Sequence, residues 1–311
     1  MNGSFLLANH THPVVSVVVP AYNHEHYIVD CLCSILDQNY PNIDLIVLND
    51  GSTDRTDQKI REILQQDPSR FRYVFHANKG LIKTLNTGLR LSHGKYFCEI
   101  ASDDVFLQES IKKRVDFLER NPAIDVVFAD RYRLIGVNRT NIRSSKDKEV
   151  YYRNPEYTVQ NLIEGKARLQ FATGMFRKSF LDRLGGFDED FRFYEDIAMQ
   201  YQLALHAMIG YLDEPVMYHR KHSDNTSMNK YWVRKEKMLA LEKLLSLKSE
   251  ELSTLIKKHL YKECVKFIKY SIRHSVNSKE AASVFRRAIE LEPYALRIRY
   301  YMTCLRIKGY I

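Results

Sequence analysis

The chain has little of what defines secreted or membrane-spanning proteins. Its five cysteines are odd in number and scattered, with no CxxC pair, which excludes a disulfide framework and indicates reduced thiols in the cytosol. No window holds the roughly 18 apolar residues that a membrane span needs. The first twelve residues also lack the basic and apolar regions of a signal peptide. We therefore predict a cytoplasmic protein.

Glycine and proline are also scarce, at 12 and 8 of 311 residues, whereas 12% of the residues are aromatic. This composition excludes a low-complexity or disordered chain. The length suffices to bury a full core in one domain of about 200 to 250 residues, with an appendage.

Most of the chain has no excess of positive charge, although the net charge of the whole chain is +9. Residues 1–229 contain 28 Lys and Arg against 30 Asp and Glu, whereas residues 230–311 contain 19 against 8. We predict a domain at 1–229 and a basic, helical C-terminal extension at 230–311.

Short apolar runs alternate with segments of helical periodicity. Val14–Pro20 and Asp44–Leu48 are typical of buried strands, and the segment between them, Tyr27–Ile35, has helical spacing. This alternation predicts an α/β fold with a mainly parallel central sheet, whose ligand site lies beyond the carboxyl ends of the strands. The polar, basic stretch Asn138–Lys148 is expected to be a mobile loop.

Two adjacent carboxylates, Asp103 and Asp104, follow the apolar run Tyr96–Ile100. Such a pair is costly unless positive charge lies beside it, and a divalent cation that carries a phosphate meets this need. The chain has neither GxGxxG after its first strand nor GxxxxGK[ST]. Phosphate recognition by a metal and side chains is therefore predicted. The segment His24–His26 is interpreted as polarity at a helix start.

Several short motifs then follow one another in a distinctive order. They are Val17–Asn23, Asn49–Asp54, Asn78–Gly80 with Asn86–Gly88, Ser102–Asp104, Gly185–Glu189, Glu195–Asp196 and Arg220–His222. Together they resemble the inverting glycosyltransferases of family 2, which have the GT-A nucleotide-diphospho-sugar transferase fold. The resemblance covers about Pro13 to Ser227.

The resemblance implies a role for each matching residue. A nucleotide-sugar donor, expected to be a UDP-sugar, would be bound by Pro20, Tyr22, Asp50, Asn78, Lys79, Asp103 and Arg220. Mn²⁺ or Mg²⁺ on the diphosphate would be held by Asp104 and His222, and Asp103 could contact the ribose or the metal. Asp196 would be the catalytic base, with Glu195 beside it to hold the acceptor. Ala101 stands where many relatives have a further acid.

Other interpretations remain open at this point. Asp50 and Asp54 also suit a turn and a helix cap, and Glu195 and Asp196 suit the positive end of a helix. A sugar-phosphate nucleotidyltransferase on a related fold is an alternative enzyme, although the glycine-rich, basic N-terminal loop is missing. A non-catalytic protein that binds glycans or membranes is an alternative of another class.

The basic extension has two equally weighted interpretations. Lysines and an arginine recur every three to five residues beside apolar positions; they are Lys257, Lys258, Lys262, Lys266, Lys269 and Arg273. This pattern suits contact with an anionic membrane surface, or a helical subdomain with a solvated basic face. No nucleic-acid-binding motif accompanies the charge, so a nucleic-acid partner is not expected. The resemblance and the extension together favour a lipid-linked glycan acceptor in bacterial surface-polysaccharide assembly.

Overall fold

The structure is a computed structural model and describes residues 12–136, 138–142, 155–167, 169–192, 195–222, 229–246, 250–274, 278–293, 301, 303, 305 and 306. Two compact units alternate along the sequence. The sheet unit comprises Met1–Arg143, Gln170–Gly186 and Met208–Lys221, and the helical unit comprises Ser144–Leu169, Phe187–Ala207 and His222–Ile311. The domain boundary that charge suggests at 229/230 stays a prediction.

The strands of the sheet unit form one sheet. They are β1 (Val15–Ala21), β2 (Ile43–Asp50), β3 (Arg72–His76), β4 (Tyr96–Glu99), β5 (Val105–Phe106), β6 (Val126–Ile135), β7 (Asn138–Ile142), β8 (Met175–Arg177) and β9 (Ile209–Arg220). Their spatial order is β3-β2-β1-β4-β8-β6-β9-β5, and β7 pairs with β6. The first four are parallel, whereas β8 runs antiparallel to both β4 and β6. The predicted α/β fold is confirmed.

The helices divide between the two units. The sheet unit contains α1 (Ile28–Leu36), α2 (Thr56–Gln66), α3 (Leu81–Leu91), α4 (Ser110–Arg120) and α6 (Lys178–Leu184). The helical unit contains α5 (Pro155–Glu164), α7 (Glu195–His206), α8 (Lys230–Ser246), α9 (Glu250–His274) and α10 (Ser278–Leu291).

Strand β1 lies inside the sheet, with β2 on one side and β4 on the other, and all seven of its residues are buried. Its continuous apolar run suits this position because both faces are covered. On one face, Val15, Val17 and Val19 share a core with the apolar side of α1. On the other face α3 approaches closely, since a Cβ added to Gly88 would lie 2.5 Å from Val18 Cγ1. Helices therefore cover both faces of β1.

The predicted loop Asn138–Lys148 is wrong for its first five residues. Asn138–Ile142 form β7, which pairs antiparallel with β6 from Ile135 to Arg131. Gly136, with φ of +56°, adopts the left-handed conformation that a reversal between the strands favours. Polar residues can form such a strand because the hydrogen bonds come from the backbone, whatever the side chains. Residues 143–148 lie outside the described residues.

The basic residues of α9 lie on its exposed side. All six basic residues that the sequence singled out between positions 257 and 273 are exposed, whereas Ile256, Leu260 and Phe267 are buried.

Within the helical unit, Arg287 of α10 donates to both carboxylate oxygens of Glu242 of α8, at 2.6 and 2.8 Å. Among the described residues, no helix is both long and apolar enough to cross a bilayer.

Candidate functional site

Asp50, the last residue of β2, connects the second and third strands of the sheet at their carboxyl ends. Its Oδ1 accepts a hydrogen bond of 2.8 Å from the Lys79 amide and its Oδ2 accepts one of 3.0 Å from the Gly80 amide. His76 Nδ1 lies 3.3 Å from Oδ1. The side chain is thus buried at the loop that precedes α3, in the position expected of a structural turn as well as of a ligand contact.

Four other predicted nucleotide-binding residues, Pro20, Tyr22, Asn78 and Lys79, lie in the sheet unit at the ends of β1 and β3. Gly51, with φ of +71°, brings the end of β2 against the next loop, since a Cβ there would lie 2.7 Å from the Asn78 backbone nitrogen. Asn78 and Lys79 are exposed, and Tyr22 is 46% exposed just beyond β1. Pro20 is buried in β1 opposite Leu48. An exposed ring, a lysine and an amide are therefore available beside a buried carboxylate.

The two adjacent acids after β4 have different surroundings. Asp104 is 1% exposed, and its Oδ1 accepts a 2.8 Å hydrogen bond from the Arg220 amide while His219 Nδ1 lies 3.1 Å from Oδ2. Burial raises the pKa of the Asp104 carboxyl above its ordinary value, and the contact with His219 opposes this shift. Asp104 therefore joins the end of β9 to the loop after β4.

Arg220, the last residue of β9, fastens the same loop through its side chain. Its Nε donates to the backbone oxygen of Asp103 at 2.9 Å, and its Nη2 lies 3.1 Å from Asp30 Oδ2. The guanidinium carbon also lies 5.1 Å from the ring centre of Tyr27. Because the contact with Asp103 uses the main chain, it does not depend on the Asp103 carboxylate.

His24 is a residue that the sequence analysis missed. A ring nitrogen of His24 and a carboxylate oxygen of Asp103 lie within 4.8 Å of each other, close enough to share a metal ion. The His24 Nδ1 atom is 2.7 Å from the hydroxyl of Ser102, which is 1% exposed and fixes the ring. The backbone oxygen of His24 also accepts from Ile28 at the start of α1, so its interpretation as a helix-start residue is correct but incomplete. No spacing rule connects positions this far apart.

The remaining predicted residues belong to the helical unit. Glu195 and Asp196 are the first two residues of α7, where the helix dipole favours negative charge, and Asp196 is partly buried. His222 follows Lys221, whose amide donates to the Leu134 backbone oxygen at 2.9 Å at the end of the sheet unit. The catalytic roles of Glu195 and Asp196 and the metal-ligand role of His222 stay predictions.

Comparison with known families identifies the chain at this point. The sequence model of "Glycosyl transferase family 2" matches residues 16–185, more than half of the chain. The chain belongs to this family. The match contains the strand ends that carry Asp50 and the acid pair, and the resemblance inferred from the motifs is confirmed.

Individual relatives of this glycosyltransferase family member match it over different lengths. An uncharacterized glycosyltransferase of Haemophilus influenzae is 43% identical over 113 residues, which are 36% of this chain and 35% of that protein. The chondroitin synthase of Escherichia coli is 28% identical over 251 residues, 80% of this chain and 34% of that protein. The chain thus spans about a third of the length of each of these relatives.

Solved structures establish the fold. S. aureus TarS 1-349 in complex with UDP-GlcNAc has a TM-score of 0.61 at 19% identity, covering 93% of this chain and 83% of that one. The mannosyltransferase PcManGT of Pyrobaculum calidifontis, in complex with GDP-Man and Mn²⁺, has a TM-score of 0.57 at 18% identity, covering 96% and 87%. The chain has the GT-A fold, as predicted.

Proposed function

We propose that the chain is an inverting glycosyltransferase that transfers a sugar from a UDP-sugar to a glycan acceptor. The observation that carries this proposal is the position of Asp103 and Asp104 in the loop after β4. Arg220 donates hydrogen bonds to both residues there, and a ring nitrogen of His24 lies within 4.8 Å of an Asp103 carboxylate oxygen. The Asp103 carboxylate thus lies beside an imidazole and next to a second acid that is buried. We take this grouping as a binding site for a metal-bound diphosphate and not as an ordinary surface loop.

The uridine end of the donor would lie at the loops after β1, β2 and β3. The exposed Tyr22 ring offers a surface on which a base can stack. Asp50 accepts two loop amides, yet each carboxylate oxygen has a second lone pair for an imide N–H. Asn78 and Lys79 would add contacts to the base and ribose. The complex of the similarly folded TarS with UDP-GlcNAc supports a donor of this class.

The residues present fit a divalent cation. Asp103 supplies an oxygen and His24 a nitrogen within 4.8 Å of each other, a donor set that Mn²⁺ accepts more readily than Mg²⁺. We propose that His24 substitutes for the acid that many relatives have at the position of Ala101. Asp104 and His222, two residues beyond Arg220, complete the proposed ligand set. When bound, the cation would stabilise the negative charge that develops on the leaving diphosphate.

Asp196 would take the proton from the acceptor hydroxyl as that oxygen attacks the sugar C1 atom. An inverting transfer needs one such carboxylate, and the first turn of α7 favours the ionised form that accepts a proton. Glu195 would hold the acceptor beside it. The proposal for these two residues comes from the family motif and their position in α7.

Calorimetry and a donor panel test the proposed function. The chain should bind UDP in the presence of Mn²⁺, and the affinity should fall at least about tenfold when the metal is chelated. Incubation with a panel of UDP- and GDP-sugars, followed by mass spectrometry, should then name the donor through its slow hydrolysis. Absence of UDP binding with Mn²⁺ present would favour a non-catalytic protein, and release of pyrophosphate from a nucleoside triphosphate would favour a nucleotidyltransferase.

Replacing His24 by Gln should weaken Mn²⁺ binding about tenfold, because one nitrogen ligand is lost. The preference for Mn²⁺ over Mg²⁺ should decrease as well, since Mg²⁺ gains less from an imidazole. Electron paramagnetic resonance titration of Mn²⁺ with UDP present measures both effects. His26→Gln is the matched control, as this ring is 71% exposed and pairs only locally with Glu25 at 3.5 Å. Unchanged Mn²⁺ affinity in the His24 variant would exclude His24 as a ligand.

The exposed basic side of α9 supports a membrane-associated acceptor, and we propose peripheral attachment to an anionic cytoplasmic surface. Each lysine near such a surface contributes about 1 kcal/mol. The triple variant Lys258→Gln, Lys262→Gln and Lys266→Gln should therefore bind vesicles of anionic phosphatidylglycerol with an affinity about two orders of magnitude lower at low salt. Co-sedimentation with the vesicles measures this loss. A triple variant that sediments like the parent chain would leave a solvated basic face as the correct interpretation.

A further inference from the structure

The segment Asp188–Arg192, which precedes α7, is held by α8 at two points. Lys243 Nζ lies 2.5 Å from Asp188 Oδ2 and 2.5 Å from Asp190 Oδ2, so one ammonium group joins two carboxylates. The segment and α8 both belong to the helical unit. The segment lies within the predicted N-terminal domain, at 1–229, yet it is bound by α8, which belongs to the predicted C-terminal extension.

The second point of attachment is Glu236, seven residues earlier on the same helix. Its Oε1 accepts a 3.0 Å hydrogen bond from the Arg192 amide, and the residue is only 3% exposed. The Arg192 guanidinium lies 5.5 Å from the ring centre of Trp232, also on α8. Residues seven apart lie on one helix face, so Glu236 and Lys243 present one edge of α8 to the segment.

Contacts within the segment make it a closed turn. Asp188 Oδ1 accepts from the Asp190 amide at 3.1 Å, and the Asp188 backbone oxygen accepts from the Phe191 amide at 3.2 Å. Phe191 is 3% exposed and its ring centre lies 5.4 Å from Lys243 Nζ. The turn therefore has a buried apolar side chain beneath the lysine that bridges its two acids.

We infer that Lys243 and Glu236 are positioning residues that set where α7 begins and hence where the Asp196 carboxylate lies. This inference rests on the proposed function, in which Asp196 is the base. Arg192 precedes Glu195 by three residues. Because a piece of chain this short spans only a small distance, the hydrogen bond at the Arg192 amide limits where the first residue of α7 can lie. The C-terminal extension would thus position a catalytic residue in addition to carrying the exposed basic residues.

The size of the expected effects separates positioning from simple stabilisation. A partly exposed ion pair contributes little to the free energy of folding, so loss of Lys243 should change the melting temperature little. In contrast, a displacement of about 1 Å at a reacting group can reduce the rate about 100-fold. A variant that keeps its stability and donor affinity but loses turnover would identify a positioning role.

The test compares Lys243→Met with Lys243→Arg and with the control Lys237→Met. Lys237 is an exposed lysine of α8, the same helix that carries Lys243. Turnover across the panel of UDP- and GDP-sugars, the Kd for UDP with Mn²⁺, and amide hydrogen exchange in α7 are measured for each. Lys243→Met should lower kcat about tenfold or more, leave the UDP Kd within about twofold and speed exchange in α7.

Lys243→Arg should recover kcat to within about threefold, since Arg can also bridge two carboxylates, and Lys237→Met should behave like the parent chain. Parental kcat and exchange in Lys243→Met would overturn the inference, as would a loss that Arg does not rescue or an equal loss of UDP binding. If the parent turns over no sugar, unchanged exchange in α7 still overturns it. Full turnover by Asp196→Asn would instead refute the proposed base, while the effect of Lys243 on exchange would persist.

Discussion

Asp196→Asn should reduce sugar transfer by about 10³-fold while leaving UDP affinity within about twofold of the parent chain. General-base catalysis accounts for roughly 10² to 10⁴ in rate, and an amide of the same shape cannot accept the proton of the acceptor hydroxyl. Asp196 is not among the residues proposed to bind the donor or the metal, so donor binding should not change. Initial rates of UDP release and calorimetry with UDP and Mn²⁺ measure the two quantities separately.

A matched carboxylate substitution controls for this loss of charge. Asp182→Asn removes an exposed acid of α6 that pairs with Lys178 at 2.8 Å, and it should leave both quantities unchanged. Glu195→Gln should affect the KM of the acceptor more than kcat, because its proposed contact is with the bound acceptor. Parental turnover by the Asp196 variant would remove this residue from the mechanism and direct the search for the base elsewhere.

Asp103→Asn should abolish the dependence of UDP binding on Mn²⁺ and lower turnover by about 100-fold or more. The neutral amide binds a divalent cation more weakly than the charged carboxylate does, and the loss of metal removes several kcal/mol of stabilisation from the leaving diphosphate. The fold should survive, because Arg220 Nε donates to the backbone oxygen of Asp103, which the substitution leaves in place. Calorimetry with and without EDTA reports the metal dependence, and thermal denaturation reports the fold.

The neighbouring acid provides the informative contrast. Both carboxylate oxygens of Asp104 have protein partners, the Arg220 amide and His219, so Asp104→Asn should lower the melting temperature where Asp103→Asn does not. Asp116→Asn, which removes an exposed partner of Lys112 on α4, serves as the neutral control. Mn²⁺-dependent UDP binding that persists in the Asp103 variant would contradict its assignment as a metal ligand.

Local patterns were enough for the elements that lead to the site. The β-branched run of β1 predicts a strand covered on both faces, and the positions 28, 31, 32 and 35 predict the buried side of α1. Both follow from the period of the side chains along the chain, which is a property of neighbouring residues. Strand β7 was missed because it forms by backbone pairing with β6, which leaves no pattern in its side chains.

Contacts between distant segments were beyond such patterns. His24 and Ser102 are 78 residues apart along the chain, and they meet through parallel pairing of β1 with β4. Sequence spacing does not encode this register, since the apolar strands could slide without changing their composition. The ion pairs of Asp188 and Asp190 with Lys243 could not be predicted either, because the sequence does not show which charged surface side chains pair with each other.

The sequence by itself determined the α/β class, the strands whose ends carry Asp50 and the acid pair, and the membership of glycosyl transferase family 2. Tertiary structure decided which side chains meet there. It brought His24 to Asp103, gave Asp104 two protein partners, and placed the segment before α7 in the helical unit. The physical reason is that side-chain periodicity is local, whereas the neighbours of a carboxylate are set by strand register and helix packing across the whole chain.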